Sequence, residues 1–151
     1  MNRKKTAGLL AAVLGVTLAL TGCGEVKVNV EVGDSLPKEF HGYGENGDVE
    51  STVSIENVDY TIEDTGHSDN KEVNVEISGK FTYVDEEALL VSQEVEIQLL
   101  DEKGNPVPNI ITGGVDLGTK EGDSYENRAS FTVSKSGTYT IRLAEKSKTE
   151  E

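Results

Sequence analysis

Apolar side chains recur at every second position through most of this chain, the spacing of strands with one buried face. Between residues 25 and 32, Val26, Val28, Val30 and Val32 alternate with Glu25, Lys27, Asn29 and Glu31. That pattern fits either a first strand of the folded domain or a stiffened tether leading to it. Residues 33–48 hold Gly33, Gly42, Gly44, Gly47 and Pro37 among polar side chains, with the aromatic cluster Phe40-His41-Gly42-Tyr43, and are predicted to be loop or tether. Val53 and Ile55 occupy odd positions, whereas Val58, Tyr60 and Ile62 occupy even ones. A change of parity turns the faces of a strand over, so a bulge or break is predicted near Glu56-Asn57.

Further along, residues 64–71 form a polar turn region, and Val73, Val75, Ile77, Phe81 and Tyr83 share one parity, with Gly79 marking a bend. Residues 85–90 could supply one helical turn, too short to matter. Val91, Val95, Ile97 and Leu99 form the next apolar face, followed by the turn Asp101-Glu102-Lys103-Gly104-Asn105-Pro106. Residues 107–117 hold short apolar pieces broken by Gly113-Gly114, and 118–123 turn again. Ala129, Phe131 and Val133, then Tyr139, Ile141 and Leu143, read as two strands of a hairpin joined through 134–137. About seven strands with no long helix predict an all-β antiparallel sandwich over residues 49–144, with a disordered tail at 145–151.

The strand ends Leu99-Leu100-Asp101-Glu102-Lys103-Gly104-Asn105-Pro106-Val107, Phe131-Thr132-Val133 and Ser136-Gly137-Thr138-Tyr139-Thr140-Ile141 resemble those of bacterial immunoglobulin-like and FxLYD-like extracellular modules. The resemblance implies an immunoglobulin-like sandwich and, usually, no catalysis.

The N-terminus has a different pattern. Arg3, Lys4 and Lys5 precede an uncharged stretch of small and aliphatic residues at 6–20. A spanning helix needs about 20 apolar residues, so this run is better suited to an export signal than to a permanent anchor. It ends in Leu20-Thr21-Gly22-Cys23, which resembles the lipobox of bacterial lipoproteins. In that family the Cys sulfur receives a diacylglycerol and a peptidase cuts just before it, recognising the positions of Leu20, Thr21 and Gly22. The resemblance implies a signal peptide at 1–22, a lipidated Cys23 with a tether through 48, and attachment to the outer side of the cytoplasmic membrane. Two or three acyl chains hold a protein on a bilayer stably, whereas one does so marginally.

Charge sharpens the picture. The 151 residues carry 28 Asp and Glu against 14 Lys and Arg, and removing Arg3, Lys4 and Lys5 leaves 11 cations against 28 anions, a net −17. Such a surface repels phosphate backbones and anionic lipid, which excludes nucleic-acid partners and makes the lipid the membrane attachment. Cys23 is the only thiol, so no disulfide, Cys metal site or Cys nucleophile is available.

Little in the chain is arranged for catalysis. His41 and His67 are the only histidines, each in a segment predicted as loop and neither in a hydrolase motif. No zinc-binding spacing occurs, and eight aromatics without Trp make a poor glycosidase cleft. Calcium could be held by Glu63, Asp64 and Asp69, or by Asp116, Glu121 and Asp123, although neither set follows an EF-hand loop. By elimination Phe40, His41 and Tyr43 are the candidate contact residues, set against the alternative that Phe40 and Tyr43 fold back onto the sandwich edge. The sequence therefore predicts a non-catalytic surface lipoprotein that binds a protein partner or supports an envelope assembly, with a small-ligand or calcium-binding receptor as the alternative.

Overall fold

In the computed structural model the described residues are 4–6, 24–67, 69–85, 95–112 and 120–145. They form nine strands: β1 (Lys4–Thr6), β2 (Val28–Val32), β3 (Lys38–Tyr43), β4 (Val49–Asp64), β5 (Lys71–Val84), β6 (Val95–Leu100), β7 (Asn109–Thr112), β8 (Ser124–Val133) and β9 (Gly137–Glu145). One sheet runs β1-β4-β5-β8-β7, with β3 beside β1 on the same edge of β4, and the other runs β2-β9-β6. The two sheets close on one core, so the protein is all-β and layered sheet on sheet.

The alternation identifies that core position by position. Val53, Ile55, Val58, Val73, Val75, Ile77, Phe81, Ala129, Phe131 and Val133 face inward from the larger sheet. Val95, Ile97, Leu99, Tyr139, Ile141 and Leu143 meet them from the smaller one. Each fully buried side chain of this size contributes about 1.5–3 kcal/mol. Tyr125 stands edge-on to Phe81 with ring centroids 5.5 Å apart. Ser51 and Asn127 are polar residues buried in this interior, and the Asn127 amide donates to the Val95 carbonyl at 2.9 Å while its carbonyl accepts the Arg128 N–H. It thereby fastens β8 to the first residue of β6 across the two layers.

The predicted bulge lies where the parity changes. The β4–β5 register shifts between Ile55 and Asn57, so β4 continues as one 16-residue strand with its inward side moved from odd to even positions. Gly79 is the partner that makes this fit: a Cβ there would lie 2.0 Å from the Ser54 carbonyl oxygen and 2.9 Å from the Ile55 Cα. A second shift between Thr52 and Val53 leaves Thr82 unpaired in the ladder and sends Tyr83, expected inside, to the surface at 45 % exposure.

Three expectations are corrected. Residues 38–43, read as loop or tether, form β3 on the edge of β4 and bury Phe40 to 2 % exposure. A single inward aromatic among Lys, Glu, His and Gly gives too little alternation to signal a strand. Residues 28–32, which fitted either a strand or a tether, join the fold as β2 with Val30 in the core, and they correct the antiparallel expectation by running parallel to β9; the other pairings among the described residues are antiparallel. Finally, β8 and β9 are not a hairpin, because β8 lies between β5 and β7 while β9 lies between β2 and β6. The expected helical turn and Val91 fall outside the described residues, apart from Asp85, and so does most of the expected tail.

Gly79→Ala should destabilise the fold by about 1–3 kcal/mol through the clash with backbone at the bulge. Urea denaturation checks this, and an unchanged midpoint would mean that the β4–β5 ladder opens at Gly79 without cost.

Candidate functional site

Of the three predicted contact residues, the structure keeps two together at the surface and removes the third to the interior. Along β3 the side chains alternate, so Phe40 points into the core while His41 is part-exposed on the opposite side. The next inward position is Gly42, and a register shift follows between Gly42 and Tyr43. His41 and Tyr43 therefore lie near each other, with ring centroids 6.3 Å apart. The Lys38 ammonium sits 5.4 Å from the Phe40 ring centroid.

Glu145 completes this corner. Its Oε1 accepts the His41 backbone N–H at 3.2 Å and lies 2.6 Å from the His41 ring Nδ1, while its Oε2 accepts the Tyr43 hydroxyl at 3.5 Å. The bond to His41 holds the Glu145 carboxyl below the usual carboxylate range. Because β2 pairs only with residues 137–141 of β9, the last residues of β9 are open on that side, and β3 crosses them there. Lys38 adds to the crossing by reaching the Leu143 carbonyl at 3.4 Å. The carboxylate already has three donors, so the corner joins two sheets and presents a small amphipathic surface. It is not arranged as a general base for another group. Glu145 escaped the sequence reading because it ends a strand whose charged continuation looked like tail.

The acidic sites have comparable local roles. Lys71 bonds both Asp64 and Glu25, at 2.8 Å in the second case, tying the β4–β5 turn to the segment that enters β2. That ammonium holds the Asp64 carboxyl low, and the two carboxylates raise Lys71 in return. In the 101–105 turn, Asp101 accepts the Asn105 backbone N–H at 2.9 Å and its side-chain amide at 3.1 Å, and then the Lys103 N–H at 2.9 Å, which keeps its carboxyl low. Glu102 reaches the Thr138 N–H at 3.0 Å. Of the calcium candidates, Asp64 is thus spent on Lys71 and Asp123 accepts the Lys120 N–H at 3.2 Å, while Asp116 lies outside the described residues. Among the described residues no group of three or more His, Cys, Asp or Glu is placed to hold a metal ion. His67 lies exposed in the turn after β4, where its backbone N–H donates to the Thr65 hydroxyl.

A feature that the sequence reading missed is the outer face of the larger sheet. A concavity of about 400 Å³ there is lined by Asp59, Thr61, Glu63, Asn74, Glu76 and Arg128, among others. The Arg128 guanidinium lies 3.3 Å from Glu76. Asp59 Oδ1 is buried without a hydrogen-bond partner among the described residues. Only the outward positions of a strand already known to be long would have signalled this face.

Glu145, Asp64 and Asp101 are all held low in the fold, so each contributes stability that is present above the ordinary carboxylate range and lost as pH falls through its lowered value. Thermal unfolding should therefore show a decline below about pH 4. Glu145→Gln should flatten that acid limb and cost less than about 1 kcal/mol at neutral pH, since the pair is part-exposed; an unchanged acid limb would contradict the assignment. Comparison with protein-family models, curated proteins and solved structures finds no match to this chain.

Proposed function

We propose that this chain is made as a lipoprotein precursor, is processed before Cys23, and works as a non-catalytic protein-interaction or envelope-assembly module on the outer side of the cytoplasmic membrane. The observation that carries this reading is the order of features at the N-terminus. Basic Arg3, Lys4 and Lys5, an uncharged run and Leu20-Thr21-Gly22-Cys23 follow one another, and Val26, the first buried apolar residue among the described ones, lies three positions later. Such a short spacing suits a folded domain held close to its lipid. Chain crossings between the sheets, from β5 to β6 and from β8 to β9, support the immunoglobulin-like form of the sandwich. The acidic surface and the side chains already engaged in turns and corners favour binding through edges and faces over chemistry in a cleft.

Mass analysis of the protein from membranes tests the attachment. The native chain should begin at Cys23 with a diacylglycerol thioether, and Cys23→Ala should keep residues 1–22 and lack the lipid. Normal processing and membrane anchoring of Cys23→Ala would overturn the proposal.

A further inference from the structure

β4 is longer than the strands beside it, and its free edge is shared. β3 pairs with residues 49–55, and β1 pairs with 59–61 in the antiparallel register Lys4 to Thr61, Lys5 to Tyr60 and Thr6 to Asp59. Among the described residues the buried apolar side chains run from Val26 to Leu143. On the inner side of this edge β4 seals itself. Val58 is buried, and the Tyr60 hydroxyl donates to the Val30 carbonyl at 3.0 Å across the layers. What the edge still offers is main-chain N–H and C=O groups, the template for another strand. Residues 58–63 read Val-Asp-Tyr-Thr-Ile-Glu, with no Lys or Pro, so the charges that guard this edge are all negative and select for a basic strand.

On the outer side, Asp59 and Glu63 flank Thr61 and open onto the 400 Å³ concavity. The nearby cation, Arg128, is engaged by Glu76 at 3.3 Å and approaches Glu126 at 4.0 Å. Asp59 keeps one buried carboxylate oxygen without a partner among the described residues. The register of β1 sets a Lys opposite Thr61, between Asp59 and Glu63 on the same face, so an incoming strand with Lys or Arg at that position would supply both the main-chain bonds and a positive charge diagonal to the two carboxylates. The segment seated there is itself basic, Lys4-Lys5-Thr6.

We infer that residues 58–63 of β4 are a strand-acceptor edge for an extended basic segment of a partner protein, occupied by Lys4–Thr6 in the precursor and vacated when residues 1–22 are removed. This rests on the interaction-module reading above and names where and what the module binds.

Hydrogen exchange at the amides of residues 58–63 tests it in two arms. In the full-length chain held in detergent, Lys5→Pro should speed exchange at the edge-facing amides by about tenfold; unchanged exchange would mean that β1 does not occupy the edge. In the lipoprotein purified from membranes, a synthetic peptide with the sequence of residues 2–7 should slow the same amides by about tenfold. The same peptide with Pro in place of Lys5 should not. Glu63→Lys, and separately Asp59→Lys, should abolish the peptide effect while the thermal transition of at least one variant stays in place. No slowing, or equal slowing by the Pro peptide, would overturn the acceptor edge, the latter in favour of charge attraction without strand pairing. Failure of the processing reading is seen separately, as residues 1–22 retained in the mass of the native chain while the first arm still decides the edge.

Discussion

The bulge opposite Gly79 is the constraint on which the rest of the molecule depends. A strand of 16 residues cannot keep one face on a small core throughout its length, because sheets twist and the buried set must follow. One extra residue at Glu56 moves the inward side from Val53 and Ile55 to Val58 and Tyr60, and β5 accommodates it only by having no side chain at Gly79. β3 uses the half before the shift and β1 the half after it. Tyr60 reaches β2 from the same second half. Without the bulge, either Phe40 loses its place over the first half or the second half turns its acidic side inward.

Much of this fold was legible because period-two alternation reports directly which side of a strand is buried. Val53 to Leu143 could be assigned inward or outward almost residue by residue, and even the bulge was visible as a change of parity. What alternation cannot report is the neighbour. Two strands with matching apolar faces fit equally well as a hairpin or as members of opposite sheets, which is why alternation alone does not separate β8 from β9 or reveal the parallel pairing of β2 with β9. β3 was hidden for a different reason, since one phenylalanine holds it to the core while its other residues are polar or glycine.

The candidate surface was less legible than the core. His41 and Tyr43 were identified by elimination, but their partner Glu145 lies about a hundred positions away and is brought near only because β2 is shorter than β9. The carboxylates of the outer face are anonymous in a sequence with 28 of them. Their meaning comes from which are neutralised, as Asp64 is by Lys71, and which keep an oxygen unpartnered among the described residues, as Asp59 does. Charge density alone describes solubility, whereas charge left over after pairing describes recognition.

The parallel run of β2 beside β9 also gives the molecule a top and a bottom. Because β2 enters next to Gly137, the 134–136 link, the 101–105 turn and the Lys71 clamp gather at the end where the chain leaves Cys23, and the His41, Tyr43 and Glu145 corner lies at the other. Anchored as proposed, the sandwich stands within about 17 Å of its lipid, the span of five extended residues. Residues 58–63 fall in the same half as the Lys71 clamp, the half that the proposed anchor would hold nearest the bilayer. A strand arriving there would come most readily from a neighbour rooted in the same membrane, rising alongside the module instead of descending onto it from outside.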